Sequence, residues 1–190
     1  MAKRLLNAEE PIPGLDGVTV GDFWSWAYSD LQSNTIRPLF AEYLVGRCLG
    51  VLTQPRVEWD YVDFIYCGKK IEVKSSAYLQ TWAQRKPSFI SFDISPKDKP
   101  WIAESNTYGE AGRSADCYVL SVHAERDTSR CRVDDPSQWD FYVLPNRTLT
   151  DAFGVQRTAR LSRIQALCAA VDYAGLKGAI DLALGSFGGR

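Results

Sequence analysis

The chain has 190 residues, 45% hydrophobic and 24% charged, which suits one domain with a sizeable core (residues 1–190) and is short for two. A net charge of −1 excludes a uniformly basic nucleic-acid coat, so a polyanionic partner would need a local basic surface. Five scattered cysteines without a CxxC pair, and a single histidine, His123, argue against a disulfide framework, a zinc site and histidine-based triad chemistry.

No apolar run reaches the ~18 residues of a membrane span, and MAKRLLNAEE lacks a signal-peptide core. The expectation is a soluble, cytoplasmic protein with no membrane partner.

In chain order, Pro11, Pro13, Gly14 and Gly17 make residues 1–20 an arm or loop. Asp22 is placed to cap a short helix through FWSWAYSDL, whose Phe23, Trp24, Ala27 and Leu31 fall at helical spacing and read as core. A second helix runs from Asn34 or Thr35 through IRPLFAEYLVGRCLG, with Pro38 in its first turn and Gly50 as its stop. Leu39, Glu42, Gly46 and Leu49 form one stripe of that helix. Glu42 is a carboxylate on a mostly apolar helix, which is costly unless it is paired or near a cation. Arg37 and Arg47 lie off its stripe, leaving either an acidic role at a site or an ion pair with a distant arginine.

The stretch WDYVDFIYCGKKIEVKSSAYLQ, Trp59 to Gln80, reads as two strands joined by a tight turn at Gly68-Lys69. That register sets Ile65 against Glu72 and Asp63 against Lys74. Alternation then puts Asp63, Ile65, Glu72 and Lys74 on one face and Val62, Phe64, Tyr66, Ile71 and Val73 on the other. Asp60 has the opposite parity from Asp63 and points away.

Beyond Lys74 the strand passes into a turn. Arg85, Lys86, Lys97 and Lys99 give residues 84–100 a basic character around a possible strand, PSFISFDI, flanked by Trp82 and Trp101. Residues 102–113 look irregular, and ADCYVLSVH and WDFYVLP are buried strands separated by a polar connection. His123 reads as a strand-end residue, and Asp116 as a cap at the start of its strand. From Ala159 or Leu161 the spacing of Leu161, Ile164, Leu167, Cys168 and Val171 predicts one amphipathic helix. The glycine-rich tail GLKGAIDLALGSFGGR is expected to fray. The predicted architecture is α/β: a mixed central sheet of about five strands flanked by α-helices on both faces, with an N-terminal helical addition.

Two acids and a lysine on neighbouring strands suit a hard divalent cation, because Mg²⁺ takes one or two carboxylates and keeps several waters. A nearby lysine can then orient or deprotonate a water. The plainer reading is a cross-strand salt bridge on a solvated face. A carboxylate-pair glycosidase is a further alternative, although the lysine fits phosphodiester chemistry better.

Asp63, eight intervening residues, then Glu72-Val73-Lys74 in an apolar hairpin resembles the PD-(D/E)XK signature of the restriction-endonuclease-like nuclease superfamily. The string IEVKSSAYLQTW is similar to the version in small bacterial members. Val62 stands where that signature often has proline. The resemblance implies a restriction-endonuclease-like core and Mg²⁺-dependent (or Mn²⁺-dependent) endonuclease activity on DNA. Asp63, Glu72 and the Val73 carbonyl would hold the ion, Lys74 would assist the attacking water, and Glu42 would be an accessory acid. Gln80, six positions after Lys74, is either a contact to the metal's water or a phosphate, as in similar nucleases, or a surface polar residue. Arg113, just before the ADCYVLSVH strand, is by position a candidate phosphate or carboxylate contact. A homodimer would supply the two sites needed to cut both strands. The alternative is a nuclease-fold protein that binds nucleic acid or a protein partner without cutting.

Overall fold

In chain order the elements are α1 (Val20–Tyr28), α2 (Ile36–Leu49), β1 (Phe64–Tyr66), β2 (Lys69–Ala77), β3 (Ser91–Asp93), β4 (Trp101–Ile102), β5 (Thr107–Tyr108), β6 (Cys117–His123), β7 (Trp139–Pro145), α3 (Asn146–Phe153), β8 (Thr158–Arg160), α4 (Leu161–Gln165) and α5 (Leu176–Ala183). They belong to a computed structural model that describes residues 4–58 and 60–185. Trp59 and the glycine-rich end of the tail lie outside the described residues.

The central sheet has four strands in the order β1-β2-β6-β7 rather than about five. β2 and β6 are parallel and the two outer pairings are antiparallel, so the sheet is mixed. All seven residues of β6 are buried, as a strand covered on both faces requires. On one face Ile71, Val73, Val119 and Phe141 meet Ala41, Leu44 and Val45 of α2 and Leu176 and Ile180 of α5. On the other, Tyr118, Leu120 and Tyr142 meet Leu149 and Phe153 of α3, Ile164 of α4, and the β3–β8 ribbon through Phe92 and Ala159. Each buried leucine or isoleucine here contributes about 1.5–3 kcal/mol.

The β1–β2 turn is Cys67-Gly68, not Gly68-Lys69. Both residues are left-handed, with φ of 50° and 74°, as a two-residue type I′ turn demands. Tyr66 therefore pairs with Lys69 and Phe64 with Ile71, and Asp63, just before the ladder, donates its N–H to the Ile71 carbonyl rather than facing Lys74. The slip is two residues, so every side chain keeps its predicted face along the paired strands. Val62 is the exception. It lies before the ladder begins and packs with Tyr118 and Leu120, away from Ile71 and Val73.

Two helical expectations are corrected. Helix α1 is capped by Thr19, with Asp22 as the third residue of a capping box, and it buries none of its residues. Phe23 and Trp26 are 47% and 84% exposed. The single C-terminal helix is instead α4, a reversal and α5, because Val171 leaves the helical path to exchange two 2.9 Å backbone hydrogen bonds with Phe141 of β7. Leu176 and Ile180 anchor α5, so part of the tail expected to fray is packed. Helix α3 and strand β8 are not expected from the sequence pattern.

Helix α2 ends at Gly50, left-handed at φ 69°, as expected. A side chain at Gly46 would place its Cβ 2.8 Å from Phe64 Cζ. The bare glycine thus allows α2 to lie against β1, and Glu42, one turn earlier on the same stripe, is carried toward the start of that strand. Among the described residues all five cysteines are free, and no helix is long and apolar enough to cross a membrane.

Candidate active site

Asp63 sits where β1 stops pairing regularly with β2. Its N–H donates to the Ile71 carbonyl at 3.0 Å, and its Oδ2 accepts the Val73 N–H at 2.6 Å. The carboxylate therefore completes the ladder at the point where the strand turns away. A residue's N–H and C=O point to the same side of a strand, so the Val73 carbonyl faces Asp63 as well.

Glu72 is 5% exposed. A carboxylate so buried requires partners, and its Oε1 has two, Lys74 Nζ at 2.6 Å and Lys97 Nζ at 3.6 Å. Lys97 is steadied by the Tyr61 carbonyl at 2.9 Å. Among the described residues Glu72 Oε2 and Asp63 Oδ1 accept no hydrogen bond.

Glu42 pairs in bidentate fashion with Arg56, whose Nη2 lies 2.9 Å from Oε1 while Nε contacts Oε2. The distant-arginine reading of Glu42 thus holds for its partner. The carboxylate nevertheless acts on the site, because Asp63 feels its charge. Burial first, then Glu72, then Glu42 push the Asp63 carboxyl up to about 7, against the opposing Val73 N–H and Lys74. Lys74 goes the other way: burial disfavours its charge, but Glu72, Asp63 and Asp93 outweigh that and raise its pKa. The lysine is a firm cation at neutral pH.

A cavity of about 100 Å³ opens beside Glu72 and Lys74, and its lining includes Tyr61, Asp93, Lys97 and Arg113. Arg113 lines the wall, but its donors hold loops together, reaching Ile94 O at 2.8 Å, Gly154 O at 2.7 Å and Gln156 O at 3.0 Å. Gln80 is outside the lining. Its Nε2 donates to Ala77 O at 3.0 Å and its Oε1 accepts from the buried Arg37 at 3.3 Å. Asp116 caps the start of β6 on the Lys70 N–H at 2.8 Å, and Asp60 binds the Tyr61 and Ala103 N–H groups, so neither joins the cluster. His123 is buried at the end of β6, with Nε2 3.3 Å from Arg132 O, and burial lowers its pKa.

The chain matches no protein-family model, no curated protein and no solved structure. Asp63, Glu72, Lys74 and Glu42 are brought into one electrostatic cluster. Asp93, Lys97 and Tyr61 are cavity residues that sequence reasoning passed over. Asp93 is the polar end of β3, and Lys97 belongs to the basic stretch 84–100.

Among the described residues no group of three or more His, Cys, Asp or Glu side chains is set to hold a metal. A cation at this site would draw on Asp63, Glu72, the Val73 carbonyl and water. That donor set is all oxygen with two carboxylates, which is the habit of Mg²⁺.

Proposed function

We propose that the chain is a metal-dependent nuclease, with a restriction-endonuclease-like core, that hydrolyses phosphodiester bonds in DNA. The supporting observation is Asp63 held to β2 through the Val73 N–H at 2.6 Å, with Lys74 hydrogen-bonded to Glu72 at 2.6 Å beside a cavity bearing three cationic side chains. A mixed sheet carrying an acid and Glu-x-Lys on antiparallel neighbours, crossed by a helix bearing a glutamate, is also what the sequence resemblance implies.

In this reading Asp63, Glu72 and the Val73 carbonyl hold Mg²⁺, with Mn²⁺ as substitute. The ion supplies Lewis-acid stabilisation and a more acidic water. Lys74, being cationic, orients the attacking water and balances charge on a non-bridging phosphoryl oxygen rather than serving as the base. Lys97 draws the phosphate toward the cavity. Arg56 keeps Glu42 oriented as the accessory acid. Cutting both strands of a duplex would call for two such sites, hence a homodimer.

The test is cleavage of plasmid and linear DNA with Mg²⁺ or Mn²⁺, beside Asp63→Ala, Glu72→Ala and Lys74→Ala. Loss in all three variants supports the proposal, and equal activity in all four proteins removes it. The second reading, binding without cutting, is favoured by one observation: Glu72 and Glu42 already have cationic partners. It predicts no stabilisation by Mn²⁺ or Ca²⁺ relative to EDTA in a melting scan.

A further inference from the structure

A second and larger depression, of about 890 Å³, lies at the far end of β3. Its lining includes Tyr78, Lys86, Phe89, Arg126 and Arg160, and no acidic residue. Phe89 is 88% exposed. An aromatic ring so exposed contributes little to the core and presents its faces to whatever enters the groove. The Arg126 guanidinium lies over the Tyr78 ring, 3.9 Å from its centre, and Arg126 is exposed. Lys86 Nζ stands 5.5 Å from the centre of the Phe89 ring.

The groove is connected to the candidate active site by one strand. Ser91 lines the groove and Asp93 lines the cavity. Both are exposed, on either side of the buried Phe92, so they share the outer face of β3. Two residues of strand separate them by about 7 Å. A chain whose scissile phosphate sat at the cavity could therefore continue over β3 into the groove.

We infer that this groove takes an unpaired stretch of polynucleotide next to the cleaved bond, so that the substrate is single-stranded or carries a single-stranded flank. The inference extends the nuclease reading and depends on it for the word substrate. Exposed ring and guanidinium faces bind base faces, and those are free only in unpaired nucleotides, because in a duplex they are stacked on each other. Three cations with no acid among them match a phosphate backbone. Lys86 and Phe89 come from the basic stretch 84–100, and the fold adds Tyr78, Arg126 and Arg160 to them from other parts of the chain.

The experiment is fluorescence anisotropy with labelled oligo-dT and with a labelled duplex, in EDTA so that cleavage is off. The proteins are wild type, Phe89→Ala, Arg126→Ala, Asp63→Asn and the control Trp26→Ala, an exposed aromatic outside the groove. The expected result is preference for the single strand, with Phe89→Ala and Arg126→Ala each weakening it by about tenfold while Trp26→Ala does not. The salt dependence should have a log–log slope of about −2 for three phosphate contacts, shallower by about 0.7 in Arg126→Ala. No oligo-dT binding, equal affinity for duplex, or oligo-dT binding unchanged in Phe89→Ala and Arg126→Ala overturns the inference. Groove-dependent binding in a protein that never cleaves leaves the groove standing and removes the nuclease reading. Cleavage of DNA with groove variants indistinguishable from wild type does the reverse.

Discussion

The Asp63 carboxylate accepts the Val73 N–H at 2.6 Å, so one side chain both finishes the β1–β2 ladder and stands at the candidate metal site. Deleting it has two separable effects. Asp63→Ala leaves a buried N–H without an acceptor, which costs about 1–3 kcal/mol. Asp63→Asn retains a carbonyl oxygen for the same bond and should fold with near-normal stability while losing all metal-dependent cleavage. Urea denaturation of the two variants checks this, and an Asp63→Asn as unstable as Asp63→Ala would show that charge rather than the hydrogen bond matters.

The raised pKa of Asp63 sets a pH dependence. A carboxyl whose folded pKa of about 7 exceeds its unfolded value contributes stability at acid pH, which is lost as pH rises through about 7. Without metal, Asp63→Asn should therefore melt higher than wild type at pH 8, by a few degrees for each ~1 kcal/mol relieved. Stabilisation by Mn²⁺ should run the opposite way, growing from pH 6 to pH 8 as the carboxyl ionises, and vanish in Asp63→Asn. Melting scans at both pH values with Mn²⁺ and EDTA would reveal a pH-independent metal effect if the site were wrongly placed.

Gly46 offers a test of how the helix positions Glu42. The Cβ of Gly46→Ala would run into Leu52 Cδ2 and stand 2.8 Å from Phe64 Cζ, so those side chains or α2 must shift, at about 1–3 kcal/mol for such overpacking. Cleavage should fall with it, because Glu42 rides on the same stripe. Gly178, inside α5, has nothing within 4 Å of the place a Cβ would take. There Gly178→Ala should stabilise by about 0.5–1 kcal/mol through helix propensity alone, with activity unchanged. Thermal melts and a cleavage assay on the pair decide the matter.

His123 predicts a slope of the other sign from Asp63. Burial lowers its pKa, so its contribution is present above the unfolded value of about 6.5 and lost as pH falls below it. In the Asp63→Asn background, where the opposing carboxyl is gone, the urea midpoint should drop between pH 7 and pH 5. A flat midpoint over that range would mean that the buried ring tolerates its proton.

Helix α2, the hairpin and strands β6 and β7 were legible in the sequence because local signals agree there: Gly50 stops the helix, glycine marks the turn and unbroken apolar runs mark the buried strands. The turn was misplaced by one residue because Cys67 takes a left-handed φ of 50°, which non-glycine residues rarely adopt. The C-terminal periodicity was genuine, but Val171 gains two backbone hydrogen bonds from β7 that a continued helix would forgo. That is tertiary structure overriding propensity. Glu72 and Lys74 were readable as one face because an even slip in register preserves faces, whereas Asp63 precedes the ladder and is held by its own hydrogen bonds to Ile71 and Val73. The Arg56–Glu42 pair and the arrival of Asp93 and Lys97 were not, because irregular chain brings them together and carries no period to read.

The margins of the central sheet bear on how copies of this molecule can meet. On one side β1 offers only three residues before the chain bends away, and on the other Val171 occupies the middle of β7. Neither border presents a long row of free amides to another chain's strand. Self-association through a continuous extension of the central sheet is thereby disfavoured, and a second copy would have to come together elsewhere on the molecule.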